Sequence, residues 1–135
     1  MDDFTNSHRQ DEQRGRDLKF LVPLGRVAVF YVPAHKLHEA ALGENGQDPA
    51  ELFERFFLER FGGLTHEISN IQGQWVSGAD RKVIQEQHER YEISLADEDQ
   101  VREFLTFLSR MCAKLKEESF YVTMGDRAWL VQASD

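Results

Sequence analysis

The chain has 135 residues, a formal net charge of −8 and a single cysteine. That length suits one domain and is short for two of ordinary size. The acidity argues against a protein that grips a phosphate backbone or an anionic membrane, since both call for a basic patch, and one cysteine excludes an intramolecular disulfide. A lone thiol fits a reducing compartment. The opening residues Met1-Asp2-Asp3-Phe4 lack the basic and apolar stretches of a secretory signal. The expectation is a cytoplasmic protein without nucleic-acid or membrane partners.

Residues 1–17 are polar and charged without periodicity, which predicts a disordered tail ahead of one domain over residues 18–135. After Pro23-Leu24-Gly25 the run from Val27 to Val32 is β-branched, aromatic and unbroken, and reads as a central strand buried on both faces. The connection from Pro33 to Gln47 has room for a short helical turn between Lys36 and Leu42. Asp48-Pro49-Ala50-Glu51 then opens a helix, with Asp48 as cap, Pro49 at the first helical position and Glu51 as the reciprocal acid. Its apolar face is Leu52, Phe53, Phe56, Phe57 and Phe61, and Gly62-Gly63 ends it.

Leu64 to Ile71 reads as a strand that continues through Gly73-Gln74-Trp75-Val76 to a turn at residues 77–80. A long strand returns from Arg81 to Leu95, with Tyr91, Ile93 and Leu95 on one face and Arg90, Glu92 and Ser94 on the other. Asp97 caps a second helix whose stripe is Val101, Phe104, Leu105, Leu108, Cys112 and Leu115. Two apolar runs around Gly125-Asp126 close the chain as a hairpin. Strand, helix, strand, strand, helix, strand with one extra strand is the order of the ferredoxin-like split βαβ arrangement, an α+β fold. Two helices would cover one face of a mainly antiparallel sheet and leave the other open.

Several segments carry a resemblance: Arg60-Phe61-Gly62-Gly63-Leu64-Thr65, Gly73-Gln74-Trp75, Tyr91-Glu92-Ile93, Val101-Arg102-Glu103-Phe104-Leu105 and the stretch from Leu115 to Val122. Together they resemble a loose group of small, uncharacterised bacterial proteins with a Phe-Gly-Gly helix end, a Gly-x-Trp hairpin and a strand entered through a Gln-Glu-Ser-like segment. The likeness covers roughly residues 48–132. Glu117 replaces the Gln of that pattern, and the connection before Asp48 is long for it. These motifs are structural punctuation, so the resemblance implies a fold and no activity, and no catalytic residue is carried over.

The strongest polar cluster is Gln85-Glu86-Gln87-His88-Glu89-Arg90, where strand alternation aligns Glu86, His88, Arg90 and Glu92. A histidine flanked by carboxylates can act as an acid or base near neutrality; the plainer account is a solvated hairpin arm. His66 on the neighbouring strand raises a metal grouping with Glu86 and His88, yet no ligand spacing matches a recognised motif, so no metal and no cofactor are expected. His35 and His38 read as loop residues. Cys112 on the apolar stripe reads as inert, and Trp75 and Trp129 as core or interface anchors. There is no Gly-x-Gly-x-x-Gly, Walker loop or Gly-x-Ser-x-Gly elbow.

Strong structural signals without a catalytic set point first to an accessory or regulatory protein acting by self-association or through a protein partner. The alternative is a small-ligand-binding protein or enzyme on the open sheet face. The candidate binding residues are His66, Trp75, Glu86, His88 and Arg90, and no catalytic residue is assigned.

Overall fold

The computed structural model describes residues 19–134, apart from the side chains of Ser69 and Asn70. The expected tail at residues 1–17 lies outside them. Strand β1 is Arg26–Pro33. Ala28, Phe30 and Val32 are fully buried while Val27 is 45 % exposed and Val29 and Tyr31 are half-buried. One face of β1 is therefore in the core, which corrects the expectation of burial on both. An all-apolar run cannot by itself distinguish a covered sheet face from an open one.

The connection after β1 carries two short pieces, helix α1 at Ala34–Leu37 and a 3-10 turn at Ala40–Leu42. Helix α2 runs Pro49–Phe61. Asp48 accepts a hydrogen bond from the Glu51 N–H, and the Glu51 carboxylate accepts one from the Asp48 N–H. Gly62 ends the helix at φ 82°, a conformation glycine adopts without the Cβ penalty. Strands β2 (Thr65–Val76) and β3 (Val83–Leu95) form a long hairpin, followed by helix α3 (Glu98–Lys114) and the hairpin β4 (Ser119–Met124) and β5 (Arg127–Gln132).

The five strands lie in the order β2-β3-β1-β4-β5, and every neighbouring pair is antiparallel. The first four strands and helices α2 and α3 make the ferredoxin-like split βαβ arrangement, with β5 added at one edge. Both helices pack on one sheet face. Leu52, Phe53 and Phe57 of α2 and Val101, Phe104, Leu108 and Cys112 of α3 meet Phe30, Tyr91, Ile93, Leu95, Phe120 and Val122 of the sheet. No described helix is long and apolar enough to cross a membrane.

Phe30 stands at the middle of this core. Its ring centroid lies 5.1 Å from Tyr91 and 5.7 Å from each of Phe53, Phe57 and Phe104. Truncation would leave a cavity that four rigid rings cannot close. Phe30→Ala should cost about 3–5 kcal/mol, read as a lower urea midpoint with an unchanged m-value.

Candidate functional site

The two faces of β3 hold different chemistry. Odd positions from Glu89 to Leu95 face the helices, and even positions face the open side of the sheet. Of the residues singled out in the sequence, His88, Glu86, Arg90 and Trp75 share the open face, since Trp75 pairs with Ile84, an even position. His66 pairs with Tyr91 and lies on the opposite face. The suggested His66, Glu86 and His88 grouping is therefore split by the sheet. Among the described residues no three His, Cys, Asp or Glu side chains are placed to hold a metal ion.

The open face carries a groove of about 570 Å³, within the usual range for small-molecule sites. Tyr31 of β1, Trp75 of β2, His88 of β3 and Tyr121 and Leu130 of the terminal hairpin line it. Trp75 and His88 have ring centroids 5.5 Å apart, and Tyr31 and Tyr121 6.2 Å apart. His88 is only 8 % exposed. Gly73 makes room for it, because a Cβ there would come within 2.8 Å of the imidazole. Trp75 is 36 % exposed and Trp129 is 48 % exposed, which leaves both outside the core and keeps only the interface half of the expected core-or-interface role open.

The tip of the hairpin beyond the core is mostly exposed, with residues 78–83 exposed throughout. Its turn is closed by the Ser77 N–H donating to Lys82 O at 2.8 Å and the Arg81 N–H donating to Ser77 O at 3.0 Å. Gly78 in that turn comes back to the start of β4, where a Cβ would lie 3.0 Å from Glu118 Oε1. Gly78, Glu117 and Glu118 form one end of the groove. Lys36 of α1 pairs with the Glu117 carboxylate and donates to Lys116 O at 3.3 Å, which ties that end to the start of the β1–α2 connection.

Glu86 and Arg90 share the face but do not line the groove. Arg90 donates to Glu92 Oε1 at 2.9 Å, and that bond is the chief reason its guanidinium pKa is raised. One oxygen of Glu86 is buried without a hydrogen-bond partner among the described residues.

A second polar cluster lies on the helix-covered face and was not singled out in the sequence. Glu89 is 3 % exposed and accepts from two imidazoles, His66 Nε2 at 2.7 Å and His38 Nε2 at 2.8 Å. His66 also stacks on Tyr91 with ring centroids 4.2 Å apart. The register of β2 against β3 shifts between Glu67 and Ile71, so residues 68–70 stand opposite Glu89 alone. The Tyr91 hydroxyl is buried without a partner among the described residues, and burial followed by the charge of Glu89 raises its pKa, keeping the phenol neutral. Nothing in the spacing reveals this cluster, because His38 and Glu89 lie 51 residues apart and meet only through the register.

Burying one carboxylate against two imidazoles makes them partly redundant. His66→Ala alone should cost about 1–3 kcal/mol, and the double change with His38→Ala about 3–5 kcal/mol, because it leaves a buried charge without a counterpart; urea unfolding at pH 7 reads both. Cys112 is fully buried, and desolvation pushes its thiol up to about 12. The thiolate is therefore scarce below that pH. Native protein at pH 8 should alkylate with iodoacetamide far more slowly than the urea-unfolded chain, and equal rates would contradict the burial.

No family model and no curated protein matches the chain. Its fold is similar to that of two solved structures, both of a phage SAM lyase. One is in complex with S-methyl-5′-thioadenosine, at TM-score 0.58 and 14 % identity over 86 % of this chain and 95 % of that one. The other is in the apo state, at TM-score 0.52 and 14 % identity over 82 % of this chain and 91 % of that one. At this identity the likeness concerns the fold.

Proposed function

We propose that this chain is a small-ligand-binding protein acting as an enzyme on the open face of its sheet, with a nucleoside thioether or sulfonium as ligand. The groove carries the reading. It is concave, about 570 Å³ in volume, walled by Tyr31, Trp75, His88 and Tyr121, and closed at one end by Glu117 and Glu118. A pairing surface for a second protein would instead present a flat apolar face. The comparisons favour the same alternative over a purely interacting protein, since the similar fold belongs to an enzyme solved with S-methyl-5′-thioadenosine.

The groove residues suit such a ligand. Indole and phenol rings offer flat faces for a purine and a negative quadrupole for a positive sulfur. Glu118 adds a carboxylate at the end of the groove, while Glu117 already pairs with Lys36. Cleavage of a carbon–sulfur bond at a sulfonium leaves the bonding pair on sulfur as a neutral thioether. A proton released by the carbon fragment needs a base, and His88 is the imidazole in the groove. On this reading Trp75 and the tyrosines bind and orient, Glu118 attracts the cation, and His88 handles the proton.

Titration of the protein with S-methyl-5′-thioadenosine, followed by tryptophan fluorescence, tests the binding step. Trp75→Ala should weaken binding at least tenfold with little change in melting temperature. His88→Ala should retain binding and lose release of the thioether from S-adenosylmethionine, measured by mass spectrometry. Absence of binding by both nucleosides at millimolar concentration would sink the reading.

Self-association remains a second reading on one specific observation, the exposed Trp129 and Leu130 on the edge strand β5. Sedimentation of wild type and Leu130→Glu separates it, because a dimer built there would dissociate in the variant.

A further inference from the structure

On the helical side of the molecule, away from the groove, a cleft of about 370 Å³ lies between α2 and α3. Its apolar residues are Leu52 and Phe56 of α2 and Phe107 and Met111 of α3, and Phe56 and Phe107 stack with ring centroids 3.8 Å apart. Around them stand three cations, Arg55, Arg110 and Lys114, against two carboxylates, Glu44 and Glu59. In a chain of net charge −8 this is a local reversal of sign.

Glu44 enters the cleft from outside both helices. It stands at the start of a tight turn in which its N–H donates to Gln47 O at 2.9 Å and the Gln47 N–H donates back to Glu44 O at 2.8 Å. Asn45 at φ 51° and Gly46 at φ 79° make the left-handed pair that such a turn requires. Gly43 beside it has no room for a side chain, as a Cβ would fall 1.7 Å from Gln47 O. Lys114 Nζ meets Glu44 Oε1 at 2.9 Å, and Arg55 Nη1 donates to Gln47 Oε1 at 3.0 Å. The Lys114 bond and charge, followed by the charges of Arg55 and Arg110, hold the Glu44 carboxyl below its usual range. A rigid turn thus presents one carboxylate to three cations beside a stacked aromatic pair. Lys114 and Arg55 bond the turn, whereas Arg110 acts on Glu44 through charge alone.

We propose that this cleft is a binding site for a small amphipathic organic carboxylate, with the apolar body against Phe56, Phe107 and Met111, the acid group on Arg110 and Lys114, and Glu44 as its built-in competitor. The site is separate from the sheet groove and does not depend on what binds there. Arginine suits the task because its planar fork matches a carboxylate through two parallel charge-assisted hydrogen bonds.

Isothermal titration of the full chain with 2-naphthoate is the test, with 2-naphthalenemethanol as the uncharged counterpart. The expected result is saturable binding of the acid, at least tenfold tighter in Glu44→Gln and at least tenfold weaker in Arg110→Gln, and no binding of the alcohol. Arg110 is exposed and bears none of the turn's hydrogen bonds, so its substitution leaves the fold intact, as a melting curve will show. Equal affinity for the alcohol would overturn the proposal, as would unaltered binding in Arg110→Gln or silence in both wild type and Glu44→Gln. Loss of naphthoate binding in Trp75→Ala would place the acid in the sheet groove and overturn it too, whereas failure of nucleoside binding alone leaves this site untouched.

Discussion

Phe30 lies almost parallel to Tyr91, with 8° between ring planes, and this contact between β1 and β3 decides which side of the sheet is inside. Strand side chains alternate, so a slip of one residue would send Glu92 and Arg90 into the core and Tyr91 into water. That slip would also take Tyr91 away from Phe30, Phe53 and Phe57, which it meets at 5.1, 5.2 and 6.2 Å. With the inner face of β3 held, its outer face is set as well. Everything on the open side, His88 included, inherits its position from packing on the other side.

The groove is assembled from segments far apart in the chain. Tyr31 comes from the first strand, Trp75 and His88 from the long hairpin, and Tyr121 and Leu130 from the last. Two small features make it concave. Gly73 gives His88 a place to lie against β2, and the hairpin turn at Gly78 approaches Glu118 at the start of β4. The ion pair of Lys36 with Glu117 ties the groove's acidic end to the segment that leaves β1, and that same segment carries His38 to Glu89. The connection after β1 thus touches both polar regions of the sheet.

Glu89 places a carboxylate on the inner face of the sheet. It occupies an inward position where the rest of β3 places Tyr91, Ile93 and Leu95, and a lone carboxylate there would be costly. His66, opposite Tyr91 on β2, and His38 from the connection after β1 supply two imidazole donors in place of water. The histidines that the sequence pattern leaves as loop and strand residues are thereby recruited to satisfy one buried charge.

Much of the fold was legible in the chain. The Asp48-Pro49-Ala50-Glu51 cap, the Gly62 terminus, the apolar stripe of α3 and the Gly-Asp hairpin are local devices, set by backbone conformation and by hydrogen bonds over three or four residues. Their order suffices for a ferredoxin-like arrangement. Alternation likewise placed Glu86, His88 and Arg90 on one face of β3. The assignment of His66 to that face failed, because sharing a side between neighbouring strands depends on register, and register arises from contacts across the sheet. The same reason hides the meeting of His38 with Glu89, the approach of Gly78 to Glu118 and the three cations around Glu44. Local sequence determined the elements and their caps; the tertiary structure alone decided which side chains meet, because each of those meetings joins residues that only the packed sheet and helices bring within bonding distance.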